Sequence, residues 1–148
     1  MKLGAARLKR RKDVVGNHRR CPFIERAEHH SGEVADRGYD PVDIRKRPQP
    51  ELTATLDCTS GWAFEGTWRG ARLGAVLDAA GSVGDRVEVR SVTGWSTSLP
   101  LAEARACLLA WSLEGQPIPV DNGAPLRLVA PDHRGVEWVK WISSIRVS

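Results

Sequence analysis

The chain has 148 residues, with 22 Lys+Arg against 18 Asp+Glu and a net charge of +4. Its 41% apolar and 27% charged residues match one ordinary globular domain and exclude collagen-like, coiled-coil and disulfide-scaffold classes. No window approaches the roughly 18–20 apolar residues of a membrane span, and the start Met1-Lys2-Leu3-Gly4-Ala5-Ala6-Arg7 lacks the apolar stretch of a secretory leader, so Arg10-Arg11 is not read as a twin-arginine signal.

The charge is unevenly placed. Residues 1–50 hold 13 Lys+Arg and 7 Asp+Glu, a balance of +6, and residues 51–148 hold 9 and 11, a balance of −2. The basic third contains Phe23 and Tyr39 as its only aromatics and three of the four His (His18, His29, His30). Such a segment buries too little apolar surface to offset its ordering entropy. Residues 1–49 are therefore expected to form a disordered or loosely attached basic tail, and residues 50–148 the folded domain. Lys9-Arg10-Arg11-Lys12 and Arg45-Lys46-Arg47 read as solvated charge clusters, with an electrostatic nucleic-acid contact as the competing reading.

All six Trp fall after residue 50. Leu52 to Cys58 alternates apolar and polar residues, which predicts a strand ending in a loop at Cys58-Thr59-Ser60-Gly61. Leu73, Val76, Leu77 and Ala80 form the i, i+3, i+4, i+7 stripe of a short helix stopped at Gly81. Arg86 to Val92 reads as a second strand closed by Thr93-Gly94, and a short helix follows Pro100 through Ala106. Cys107 to Trp111 is a buried run, and Gln116 to Pro125, with three Pro and one Gly, is a long irregular turn. Leu126 to Ala130 and Val136 to Val147 read as the last strands. The pattern is α+β and strand-dominated, with function expected in the loops.

Three cysteines, 37 and 49 residues apart, give no CxxC pair and no zinc spacing. Cys107 reads as a small buried hydrophobe, and Cys21 lies among Arg19, Arg20 and Pro22 of the tail. Cys58 is different, because a strand end followed by a Gly-containing turn presents a thiol at a sheet rim. A nucleophilic role would need a His partner, and residues 51–148 supply only His133, in the turn Pro131-Asp132-His133-Arg134-Gly135. The segment carries no GxGxxG, P-loop or HExxH motif.

The run Thr55-Leu56-Asp57-Cys58-Thr59-Ser60-Gly61-Trp62, followed by Trp68-Arg69-Gly70 and Leu73, resembles the central signature of the sulfite-oxidase-type molybdopterin-binding domain. Gly115 to Pro131, ending in Val139-Lys140-Trp141, is similar to the same family's C-terminal signature. The two motifs stand in the family's order and span roughly residues 50–148. The resemblance implies a strand-rich mixed sheet of that type, incomplete at its N-terminal side, holding a molybdenum-molybdopterin cofactor. It implies Cys58 as the molybdenum ligand, in keeping with the preference of a sulfur-rich metal centre for soft thiolates. Arg127 and Lys140 would contact the pterin and its phosphate, Asn122 the pterin edge, and the backbone of Trp138 and Val139 would line the pterin, with Ser91 near a further contact.

The implied reaction is oxygen-atom transfer on a small oxyanion or sulfoxide, with electrons exchanged through a haem or other redox partner. No nucleic-acid partner is expected. Without a leader or membrane segment the default location is the cytoplasm, although relatives with a Cys-Thr-x-Gly-Trp run often lie outside it. A fold remnant without metal is the second reading, and a basic nucleic-acid-binding protein the third.

Overall fold

The computed structural model describes residues 44–57 and 60–148, together with the backbone of residues 23–26 and 35–38. Ten strands form two five-stranded sheets among the described residues. β3 (Glu51–Asp57) and β4 (Ala63–Arg72) form a hairpin whose register runs from Glu51 opposite Arg69 to Asp57 opposite Ala63. Residues directly opposite in an antiparallel pair share a face. The pairs Leu52/Trp68, Ala54/Gly66 and Leu56/Phe64 therefore form one face, which is the buried one at Trp68 and Ala54. The other face carries the Glu51–Arg69 ion pair at 2.6 Å and the Thr53–Thr67 hydroxyl contact at 3.1 Å.

The stripe at Leu73, Val76, Leu77 and Ala80 is buried in α1 (Leu73–Ala80). That helix ends where Gly81 takes a φ of 61°, a left-handed conformation that favours glycine. β5 (Arg86–Ser91) and β6 (Ser96–Pro100) form a second hairpin, and α2 (Leu101–Ala106) follows directly. Arg105 joins α2 to α1 through a bidentate contact with Asp78, at 2.7 and 2.8 Å. That hydrogen-bonded pairing, with the attraction of the two charges, holds the Asp78 carboxyl below its ordinary pKa.

β7 (Leu108–Leu113) pairs with β4, with the two-residue β8 (Gln116–Pro117) and with β9 (Arg127–Val129). Together with β3 these strands make one sheet, all antiparallel. The other has the order β2-β1-β10-β5-β6, where β1 is Phe23–Arg26, β2 Ala35–Gly38 and β10 Ile142–Val147. β1 runs parallel to β10 and every other neighbour is antiparallel, so this sheet is mixed.

Eight residues that the sequence reading placed in the tail thus have their backbone in this sheet. The hydrogen-bonding edge of β10 accepts Phe23–Arg26 despite the segment's sparse apolar content. The other residues up to 43, including Cys21 and the cluster Lys9-Arg10-Arg11-Lys12, lie outside the described residues.

One core joins both sheets and the helices. Leu73 and Val76 of α1, Val87 and Val89 of β5, Leu108 and Leu109 of β7, Leu128 of β9 and Ile145 of β10 are all fully buried in it. Each such aliphatic side chain contributes about 1.5–3 kcal/mol by leaving water. Cys107 is buried here as expected, its thiol 3.5 Å from the carbonyl of Glu103. Burial, aided by the carboxylate of Glu103, pushes that thiol up to about 12. At pH 8 the thiolate fraction is then roughly one in ten thousand, and only the thiolate is nucleophilic. Cys107 should stay unmodified by iodoacetamide in the folded chain and react after unfolding, as read by peptide mass spectrometry. No described helix is long and apolar enough to cross a membrane.

Candidate functional site

A cleft of about 200 Å³ opens where the chain crosses from β9 in one sheet to β10 in the other. Its lining comes from two stretches of chain. The end of β5 and the turn after it supply Ser91, Thr93 and Trp95, and the connection before β10 supplies Gly135, Val136, Trp138, Val139, Lys140 and Trp141.

The turn is fixed by its own hydroxyls. Ser91 is buried, and its Oγ accepts from the backbone N–H and the hydroxyl of Thr93, at 3.1 and 3.0 Å. Trp95 stands half exposed at the rim, and its indole N–H reaches across to the carbonyl of Val136 at 3.1 Å.

The opposite wall is held from behind. Trp138 is buried, with its indole N–H donating to the carbonyl of His133 at 3.2 Å and its ring edge-on to Trp68 at 5.9 Å. Arg127 lies under this wall and is only 1% exposed. Its guanidinium donates to the carbonyls of Asn122 and Trp138, at 2.7 and 3.2 Å, and sits 5.0 and 5.8 Å from the ring centroids of Trp68 and Trp138. Its Nε has no hydrogen-bond partner among the described residues, and burial pulls the group down to about 10, so it stays charged at neutral pH. Lys140 donates to the carbonyl of Asp121 at 2.8 Å and lies 5.6 Å from the ring centroid of Trp141. Trp141 adopts a φ of 51°, rare for a bulky residue, and donates its indole N–H to the carbonyl of Val120 at 2.7 Å.

Of the residues singled out from sequence, Ser91, Trp138, Val139 and Lys140 share the cleft. Arg127 lies behind its wall, and Asn122 meets Arg127 through a backbone carbonyl. Cys58 lies outside the described residues, but its neighbour Asp57 ends β3 against the cleft: a methyl group added at Gly135 would fall on the Asp57 carbonyl oxygen. Gly135→Ala should therefore displace the end of β3 and cost about 1–3 kcal/mol in a thermal melt, the usual effect of overpacking.

His133, the one candidate partner for a thiol nucleophile, is absent from the cleft and paired with carboxylates. Thr93, Gly135 and Val136 were not singled out from sequence, and Trp95 was expected only as one of six Trp packing the core or the cofactor wall. A Thr-Gly-Trp turn between two alternating runs is the signal that could have placed Thr93 and Trp95 at the site.

A sequence profile described as "Oxidoreductase molybdopterin binding domain" matches residues 30–148. The chain belongs to this family. The match starts 20 residues ahead of the boundary read from sequence.

Among relatives of the family, mitochondrial sulfite oxidase of Rattus norvegicus is 31% identical over 138 residues, covering 71% of this chain and 25% of that protein. The protein-methionine-sulfoxide reductase catalytic subunit MsrP of Xanthomonas campestris is 34% identical over 110 residues, 62% of this chain and 34% of that protein. The sulfane dehydrogenase SoxCD from Paracoccus pantotrophus has a similar fold, with a TM-score of 0.75 at 20% identity over 84% of this chain and 37% of that one. The chain thus spans about a quarter of the rat enzyme's length.

The donor set fits an anionic pterin. The lining carries one cation, Lys140, and two hydroxyl residues, with no acid among the described residues. The buried guanidinium behind it makes no ion pair with a described carboxylate, and its Nε–H has no partner among the described residues.

Proposed function

We propose that this chain forms the pterin-holding part of a molybdenum-dependent oxidoreductase acting by oxygen-atom transfer on a small oxyanion or a sulfoxide. The observation that carries the reading is the buried Arg127, whose charge meets two carbonyls and two indole rings and no described carboxylate, directly behind a cleft wall. An uncompensated buried cation is costly. Its field favours an anion in front of the wall, and Lys140 supplies a second positive charge there.

In this reading Lys140 and the backbone of Trp138 and Val139 hold the cofactor's phosphate and pterin, and Cys58 supplies the thiolate ligand. Arg127 holds the carbonyls of Asn122 and Trp138 in place, so that the wall does not reorganise when the anion enters. Trp95 and Val136 keep water from the rim. The bound molybdenum centre supplies two-electron oxygen-atom chemistry, and a haem protein or comparable electron carrier exchanges the electrons singly. The two named enzymes among the relatives, a sulfite oxidase and a methionine-sulfoxide reductase subunit, support the substrate class.

Metal and pterin analysis of the full chain, expressed in cofactor-sufficient cells, tests the reading. Molybdenum and pterin near one per chain are expected. Their absence from a folded preparation would overturn the proposal in favour of a fold remnant without metal.

A further inference from the structure

Trp141 lines the cleft, but the reading above gives it no part. Its φ of 51° lies in the left-handed region, where a bulky residue stays only if its surroundings over-determine it. Here it is tied down at three points. Its backbone N–H donates to the carbonyl of Gly123 at 3.3 Å, and its own carbonyl accepts from the backbone N–H of Val92 at 2.9 Å. Its indole N–H donates to the carbonyl of Val120 at 2.7 Å. Backbone outliers of this kind gather where a protein holds a ligand.

The effect falls on Lys140. Neighbouring residues of an extended chain point to opposite sides. Across the left-handed step at Trp141 the two side chains instead lie over one turn, Val120–Asn122. The Lys140 ammonium donates to the carbonyl of Asp121 at 2.8 Å, and the Trp141 indole to that of the residue before it. The ammonium stands 5.6 Å from the Trp141 ring centroid. Its stem runs so close to Gly123 that a methyl group added there would fall 3.2 Å from the Lys140 Cβ and Cγ. A lysine stem is long and flexible, and one already held in place loses less conformational freedom when an anion arrives.

We propose that Trp141 is a positioning residue, whose left-handed backbone and ring hold the Lys140 ammonium at the cleft for the phosphate of the cofactor. This role rests on Lys140 being the phosphate contact, as read above. The ring holds the stem and the charge from one side, and the turn at Val120–Asn122 holds them from the other.

Inorganic pyrophosphate, titrated calorimetrically into the full chain without cofactor, tests this in a double-mutant cycle. Trp141→Asn removes the ring and keeps a residue that tolerates the left-handed backbone. It should weaken pyrophosphate binding about fivefold in the native background. Beside Lys140→Gln the same change should cost less than about twofold, because no ammonium is left to position. A residue that only supports the fold would lower affinity equally in both backgrounds; that result overturns the proposal and leaves Lys140 as a phosphate contact. Native binding that is absent, or that Lys140→Gln leaves unchanged, overturns the phosphate reading of Lys140 and the role of Trp141 with it. If Trp141→Asn does not fold, Trp141→Phe takes its place, since it keeps a ring and loses the indole N–H, and the same comparison of backgrounds decides.

Discussion

Cys58→Ser is expected to leave the chain without molybdenum. The thiolate is the soft donor the proposed metal centre requires, and a serine hydroxyl is a hard donor that stays protonated at neutral pH. Outer partners of a metal ligand cost about 10–100-fold in affinity when removed, so loss of the ligand itself should reach the upper end of that range or exceed it. Elemental analysis of matched preparations measures this, with Cys107→Ala as the control that should keep its metal. Cys107 is a buried core residue whose thiol is held protonated. Equal molybdenum in the native chain and in Cys58→Ser would remove Cys58 from the site and leave the rest of the cleft to be explained.

Arg127→Ala is expected to cost about 2–4 kcal/mol of stability in urea unfolding. Removing the guanidinium leaves the buried carbonyl of Trp138 without that donor, at about 1–3 kcal/mol, and the part-buried carbonyl of Asn122 at less. It also removes the stacking against Trp68 and Trp138, worth up to about 2 kcal/mol when desolvated. Against these stands relief of the burial penalty that pulls the group down to about 10. The losses outweigh the relief, because the alanine also opens a cavity between two large rings. Arg127→Lys keeps the charge but not the planar fork, and should fall between the native chain and the alanine variant. A change below about 0.5 kcal/mol for Arg127→Ala would show the burial penalty to be as large as everything it supports.

The elements with clear periodicity were legible. The alternation before Cys58, the helical stripe ending at Gly81 and the runs at Arg86 and Leu126 all correspond to observed elements. β4 was missed because Gly66 and Gly70 interrupt its pattern. Yet Gly70 is what lets β4 lie against β7, since a methyl group there would fall on the carbonyl of Leu109. β6, a Ser-rich segment, owes its strand to its pairing with β5. The pairing of β1 with β10 joins residues more than a hundred positions apart, which no local pattern reveals.

At the site, Trp138, Val139 and Lys140 were singled out through the family resemblance, and the structure brings them into one cleft because they follow one another in the chain. The role of Arg127 was not legible: its distance from the cleft surface depends on two aromatic rings that arrive from β4 and from the turn before β10. His133 was considered only as a nucleophile's partner, since its two carboxylates come from separate elements.

The cleft lies on the crossing from β9 to β10, and the end of β3 abuts it through Gly135. A ligand seated there touches the seam between the two sheets and acts as a staple across it. A ligand that binds the assembled seam and not the unfolded chain stabilises the domain by mass action, in proportion to the logarithm of its concentration over its Kd. Loading should therefore raise the melting temperature of the whole domain, and not of one sheet alone.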